Sequence, residues 1–200
     1  MASSTRERAH ADETRARLLE AAVQAFASRG FHGTSTRDIA AAAGLSPAAL
    51  YVHHPSKEDV LFRIALEGHH ASLACILDGV ASSSVPREQL VAVVRAFVLE
   101  HVAHHTRARV ITYELAALQD EHLPEILKLR RKGERALRRV VEAGVEQGSF
   151  TTPDVRMTTL AILSLGIDVA RWYHPGGPFA AERIAEHYCT LALRMVGIAP

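Results

Sequence analysis

The chain has 200 residues, 48% of them apolar, and a formal net charge of +1. That length holds one sizeable core or two small helical domains, with an apolar share ordinary for a soluble globular protein. No run of eighteen apolar residues exists, the N-terminus lacks the apolar core of a signal peptide, and Cys75 and Cys189 fit no disulfide or metal spacing, so a reduced, cytoplasmic protein without a membrane partner is expected.

Residues 1–11 are polar and read as a disordered tail. The first helix is expected from about Asp12 to Arg29, with Leu18, Ala22, Ala25 and Phe26 at helical spacing and Leu19 and Val23 alongside. Gly30 ends it, Phe31 turns back to the core, and Thr34, Ser35 and Thr36 form a cluster of N-cap residues. A short Ala-rich helix comes next, from Arg37 to Ala43. Gly44 sits where a helix leaves through a left-handed residue. Ser46 caps a second short helix, and Pro47 occupies its first position, where a missing N–H costs nothing. That helix stops near His53, ahead of Pro55, because a proline disfavours helical geometry in the residue before it. Helix, glycine turn, helix is the helix-turn-helix pattern.

Pro47, Ala48 and Ala49 are small enough to bring the backbone close to base edges in a major groove. Tyr51, His53, His54 and Lys57 carry donors suited to phosphates. Residues 1–60 hold seven Lys and Arg against seven Asp and Glu. DNA binding would therefore come from charge placement, neutral donors and helix N-termini rather than from bulk potential. Two core helices joined by a glycine turn is the other reading of these residues.

Ser56 caps the next helix, with Glu58 and Asp59 in its first turn, where the helix dipole favours acids. It runs to about Gly79, carries Leu61, Ile64, Ala65, Ile76 and Val80 near one face, and links the helix-turn-helix mechanically to the rest of the chain. Ala81 to Pro86 is a linker. Helices are expected over about Arg87–His104, Thr106–Leu118, Leu123–Gln147, Asp154–Tyr173 and Ala180–Val196, with a loop at 147–153 and a sharp break at His174 to Pro178. No strand-like alternation or internal repeat occurs. The chain reads as all-α with about nine helices: a tail (1–11), a helix-turn-helix domain (12–56) and a larger helical domain (57–200).

Both sides of the 154–173 helix are apolar or small, where a surface helix shows a polar face. It is expected to be covered twice, by its own domain and by a partner. Ala161, Ser164, Leu165, Asp168 and Trp172 lie on one side, Leu160, Leu163, Ile167 and Ala170 on the other. The last helix adds Ile184, Tyr188, Leu191 and Met195 to the interface. Twelve histidines are present. His101, His104 and His105 have i, i+3 and i, i+4 spacings that could hold zinc or nickel, although no Cys or carboxylate beside them completes a site. A metal-responsive regulator is thus one alternative. No Gly-rich phosphate loop, Gly-x-Ser-x-Gly elbow, His-Glu-x-x-His or repeated Glu-x-x-His appears. No catalytic residue or cofactor is expected, and an all-α enzyme or a helical dimer that binds another protein stands as the class-level alternative.

Over Thr14 to Leu61, about a quarter of the chain, an ordered set of motifs resembles the N-terminal domain of the TetR family of transcriptional regulators. The motifs are Arg17 to Ala22, Phe26 to Phe31, Gly33 to Ala40, Ala43 to Ser46 and Leu50 to Glu58. The family usually has a Phe packed under the recognition helix where this chain has His54, so His54 either packs there less well or faces the phosphates. The resemblance implies a regulator, most often a repressor, that binds a double-stranded, palindromic operator as a homodimer, with recognition helices roughly 34–36 Å apart. On this reading Ser46, Pro47, Ala48 and Tyr51 lie at or near base edges and Thr34, Thr36, Arg37, His53 and Lys57 at phosphates, with His54 a further DNA-binding candidate. The resemblance implies that the last two helices form the dimer interface. It also implies an effector pocket among the middle helices, for which Phe97, His101, Ile111, Glu114, Leu137 and Trp172 are the candidates. Tyr113 to Leu115, Pro124 to Arg131 and Arg171 to Gly177 look like regulators of lipid, fatty-acid and steroid breakdown, several of which respond to acyl-CoA thioesters. A small hydrophobic, acyl-CoA-like effector is therefore expected. Lys128, Arg131, Lys132, Arg135 and Arg138 share one helix face, with Arg107 and Arg109 nearby in sequence, and would meet its phosphates; a solvated basic face, partly paired with Glu134 and Glu142, is the other reading.

Overall fold

In the computed structural model the described residues are 2–198, with side chains described from Ala9 onward. They form nine α-helices and no strand: α1 (Ala2–Arg29), α2 (Thr36–Ala42), α3 (Pro47–His53), α4 (Lys57–Ala81), α5 (Pro86–Ala103), α6 (His105–Glu114), α7 (Leu123–Glu146), α8 (Val155–Trp172) and α9 (Ala181–Met195). A single 3₁₀ turn, Leu115–Ala117, comes after α6. The start of the chain differs from expectation. The backbone of α1 is helical from Ala2, ten residues before Asp12, through the stretch read as a disordered tail. Residues 2–11 contain no Gly or Pro, and half of them are Ala or Arg, both good helix formers, so nothing local stops the helix. Met1, the first residue of that expected tail, lies outside the described residues.

The chain packs as two compact units. The first runs from the N-terminus to Glu67 and includes Arg109–Leu123; the second comprises Gly68–Ala108 and the chain from Pro124 onward. A boundary at residue 57 reflects only the local break at Pro55. In the structure the first three turns of α4 stay with the first unit, because their charged side chains find partners there.

Leu18, Ala22, Phe26, Phe31, Ile39, Leu50, Val60, Leu61 and Ile64 are buried in the first unit. The Phe26 and Phe31 rings lie 5.5 Å apart. In the second unit α5 packs against α8 and α9, and α8 against α9. Its core includes Leu90, Val93, Val94, Phe97, Val98, Leu137, Val140, Val141, Ile162, Val169, Ile184 and Ala185. Both cysteines are free, and burial raises both thiols above their ordinary value. Among the described residues, α4 has the length and composition to cross a membrane. Its Val60, Leu61, Phe62, Ile64, Leu73 and Ile76 are instead buried inside the protein.

Helix contacts in the second unit are close enough to require glycine. A Cβ on Gly79 of α4 would lie 2.7 Å from both the backbone N and the Cα of Val93 in α5. Alanine at this position would gain about 1 kcal/mol of helix propensity. Two backbones cannot yield as a side chain does, so overpacking of about 1–3 kcal/mol prevails. Gly79→Ala is expected to lower the thermal unfolding midpoint in calorimetry; an unchanged or raised midpoint would show that α4 and α5 can separate freely.

Candidate nucleic-acid interface

Local hydrogen bonds build the helix-turn-helix. Ser35 caps α2 through a reciprocal box: its Oγ accepts from Asp38 N at 3.2 Å, and Asp38 Oδ2 accepts from Ser35 N at 2.8 Å and from Ser35 Oγ at 2.7 Å. These bonds hold the Asp38 carboxyl below its ordinary range, the side-chain bond from Ser35 first. The helix leaves through Gly44, whose φ of 67° suits a residue without Cβ. Arg17, reaching from α1, donates from Nη2 to the Ala43 carbonyl at 2.6 Å and closes the end of α2. Ser46 caps α3 by accepting from Ala49 N at 3.2 Å, and Pro47 occupies the first turn.

Helix α3 buries Leu50 and turns its other side outward. Pro47 and Ala48 are exposed, Tyr51 is 54% and Val52 79% exposed, and helical spacing puts these four on one face. The Tyr51 hydroxyl meets Thr36 Oγ1 at 3.1 Å, which ties the exposed end of α3 to the start of α2. Arg37 and Ser46 are exposed and His53 half-buried. Burial holds the His53 imidazole below its ordinary value, with Arg15 and His54 adding to it. His53 therefore offers a neutral donor and acceptor, and Arg37 supplies the positive charge.

Three expected contacts are absent from this surface. Thr34 is buried, and its hydroxyl is directed at the carbonyls of Gly30 (2.9 Å) and Ala25 (3.2 Å). His54 is 1% exposed; its Nδ1 donates to Asp59 Oδ2 at 2.7 Å, and its buried Nε2 has no hydrogen-bond partner among the described residues. It takes the packed place rather than the phosphate-facing one. Lys57 Nζ donates to the carbonyls of Phe31 at 2.6 Å and Thr34 at 2.7 Å and lies 4.2 Å from the Phe31 ring centroid. It fastens α4 to the α1–α2 connection. Thr36, Arg37, Ser46, Pro47, Ala48, Tyr51 and His53 remain exposed or half-exposed. Val52 is not among the expected groove residues: it is neither small nor a donor, yet it shares the exposed face of α3. The capping role of Arg17 is hidden from a linear reading because its acceptor is 26 residues away.

The residues expected at a partner interface differ in exposure in the second unit. Ser164, Leu165, Asp168 and Trp172 are exposed, and Ala161, Tyr188 and Leu191 half-buried. Ile184 is 4% exposed and belongs to the subunit's own core. On α8 the face turned to that core is Thr159, Ile162, Gly166, Val169 and Ala170. Met157, 64% exposed, and Leu160 join Leu165 and Trp172 as exposed apolar side chains. Arg171 donates to both oxygens of Asp168, at 2.7 and 2.9 Å, and holds that carboxyl below its ordinary range. Burial raises the Tyr188 phenol, and a hydrogen bond with Trp172 opposes the rise.

Of the six candidate effector residues, Phe97, His101, Leu137 and Trp172 belong to the second unit, and Ile111 and Glu114 to the first. Leu137 is fully buried, and Phe97 packs so tightly on Gly166 that a Cβ there would lie 2.7 Å from its ring. The His101 ring lies 4.3 Å from that of Phe97, and its Nδ1 donates to the Phe97 carbonyl at 2.8 Å. Burial lowers the His101 pKa, so the ring is neutral. Trp172 is exposed. An open groove of about 770 Å³ in the first unit is lined by Arg17, Glu20, Gln24, Arg29 and Gly44 among others, and by none of the six. Each of the three candidate metal-binding histidines has a neighbour at one ring nitrogen. His105 Nδ1 donates to the Val102 carbonyl at 3.0 Å, His104 Nε2 lies 3.6 Å from Glu100, and His101 is turned to Phe97. Among the described residues no group of three His, Cys, Asp or Glu side chains is arranged to hold a metal. On α7, Lys128, Arg131, Lys132 and Arg135 are exposed, while Arg138 pairs with Glu134 and Glu142. Arg107 pairs with Glu100.

Lys57 and Arg37 should separate in a salt titration of duplex binding. Lys57→Met removes two hydrogen bonds to carbonyls and is expected to cost about 1–3 kcal/mol of stability with the salt slope unchanged. Arg37→Ala is expected to spare stability and flatten the logarithmic salt slope by about one unit. A slope altered by Lys57→Met would return that residue to the phosphate-contacting set.

Residues 18–64 match the family model described as bacterial regulatory proteins of the tetR family. Residues 83–196 match the tetracyclin repressor-like C-terminal domain. The HTH-type transcriptional repressor KstR2 of Mycobacterium tuberculosis is 34% identical over 186 residues, 90% of each chain. A tetR-family bacterial regulatory protein from Rhodococcus RHA1 superposes with a TM-score of 0.88 at 41% identity, over 94% of this chain and 98% of that one. The structure of AibR in complex with isovaleryl coenzyme A and operator DNA superposes with a TM-score of 0.81 at 26% identity, over 92% and 98% of the two chains. With both parts of the chain matched in order and the capped, glycine-turned motif in place, this protein belongs to the tetR family of bacterial transcriptional regulators.

Proposed function

We propose that the protein is a cytoplasmic, homodimeric transcriptional repressor that reads a palindromic operator with α3 and is released by an acyl-CoA thioester. The observation that carries the DNA reading is the outward face of α3. It is capped by Ser46, begins with small side chains, and is fixed to α2 through the Tyr51–Thr36 contact. Ser46, Pro47, Ala48 and Tyr51 would lie at base edges, where Ala48 and the exposed Val52 suit thymine methyl groups. Thr36, Arg37 and His53 would take phosphates. The repressor reading follows the KstR2 relative, and the effector class follows AibR with its bound isovaleryl coenzyme A.

The dimer reading rests on α8. Its outward face exposes Met157, Leu160, Leu165 and Trp172, an apolar stripe that a monomer would leave in water. A second copy joined about a two-fold axis covers the same stripe on both subunits.

The test is a fluorescence-anisotropy titration against the DNA upstream of the protein's own gene, at fixed salt, with and without isovaleryl coenzyme A and longer acyl-CoAs. Tight binding weakened about 5–150-fold by one thioester is expected. Binding indifferent to every thioester would overturn the effector class, and binding no tighter than to random DNA, repeated after an unbiased operator selection, would overturn the operator reading. Trp172→Glu places a charge in the proposed interface and is expected to give monomers in sedimentation velocity with loss of tight operator binding. A dimeric variant would refute the α8 assignment.

A further inference from the structure

The geometry points to His122 as a positioning residue for the recognition helix, acting through Glu58 and Asp59 at the start of α4. Glu58 and Asp59 are adjacent, and each is 8% exposed. Glu58 Oε1 accepts from the backbone N of Gln119 at 3.0 Å and from His122 Nδ1 at 2.8 Å, and its Oε2 lies 3.0 Å from the same nitrogen. The His122 ring lies flat on Phe62, with centroids 4.0 Å apart and planes 6° from parallel. Asp59 accepts from His54 Nδ1 at 2.7 Å and has Arg63 Nε 3.5 Å from its other oxygen. His54 is the C-terminal cap of α3, its backbone N–H bonded to the Leu50 carbonyl at 2.8 Å.

These contacts form one chain inside the first unit: the last turn of α3, His54, Asp59, one peptide bond, Glu58, and His122 in the connection between α6 and α7. A buried carboxylate requires partners, and removing one leaves the charge uncompensated. Without His122, Glu58 keeps only the Gln119 N–H and the dipole at the N-terminus of α4. The relief available is to rotate or fray the first turn of α4 toward water, and Asp59 moves with it. His54 then loses the acceptor that fixes the end of α3, because its Nε2 has no partner among the described residues to hold it. A residue 64 positions away from Glu58 in sequence thus sets how firmly the operator-reading helix is held.

This inference rests on the reading of α3 as the recognition helix, and the test separates the two. Amide hydrogen exchange is measured on the full chain without DNA, beside operator affinity, for His122→Ala, His122→Asn and His122→Phe. Asparagine places an amide nitrogen close to the Nδ1 position and keeps the donor to Glu58, whereas phenylalanine keeps the stack on Phe62 and loses the donor. The expected result is exchange of the Leu50–His54 amides faster by roughly tenfold or more in the Ala and Phe variants and near wild type in the Asn variant. Operator affinity should fall in the same order, with the amides of α5 unchanged as the control for global unfolding. Protection of α3 that survives in the Phe variant and is lost in the Asn variant would overturn the proposal, since packing alone would then explain it. Exchange at wild-type rates in all three variants would overturn it equally. Failure of the wild-type protein to bind any operator would sink the regulator reading and leave the exchange result to judge His122 alone.

Discussion

The first turn of α4 presents three ionisable side chains in succession, Lys57, Glu58 and Asp59, and turns each to a partner within the first unit. Lys57 donates to two carbonyls of the α1–α2 connection, Glu58 accepts from the 119–122 segment, and Asp59 accepts from the end of α3. Charges withdrawn from water are tolerated only with such partners, and a set of them is satisfied in few arrangements. This turn therefore does more than begin a helix. It fixes the end of the helix-turn-helix relative to both flanking stretches of the first unit, and the position of α3 depends on it.

A second constraint is that the DNA-reading part of the chain is not basic. With equal numbers of cations and anions over residues 1–60, affinity cannot come from a broad positive potential. The geometry answers this with order. The Asp38 carboxylate is engaged in capping α2, Arg17 closes the end of that helix, and Lys57 fastens α4. Along α2 and α3, what remains outward is Arg37, a few neutral donors and a small-residue face. Such a surface suits close approach and shape-matched contact more than long-range attraction.

The second unit shows how one helix serves two surfaces. Thr159, Ile162, Gly166 and Val169 of α8 face the core against α5, where Gly166 admits the Phe97 ring, and Met157, Leu160, Leu165 and Trp172 face out. The sequence is apolar all round at this helix, so periodicity says that it is covered twice but leaves the assignment of faces open. Leu160 departs from expectation for that reason and shares the outward surface with Trp172. Ile184 departs in the other sense: its spacing suits the interface, yet it fills its own subunit's core.

Local events are legible in the chain alone. A cap within Thr34 to Thr36, Ser46 as a second cap, Gly44 as the turn, Pro47 as the first helical residue, Pro55 as the stop, and the all-α order of about nine helices rest on interactions within about four residues, which a linear reading can see. Which polar residues of the motif face water is a matter of long-range packing. Thr34, His54 and Lys57 read as donors for phosphate, yet each is turned inward by an acceptor contributed by another element. The same holds for Arg17 and Ala43, 26 residues apart, and for Glu58 and His122, 64 residues apart. A side chain's chemistry is written in its own codon, but its partner is set by how distant segments pack, and a buried polar group takes whichever partner that packing supplies.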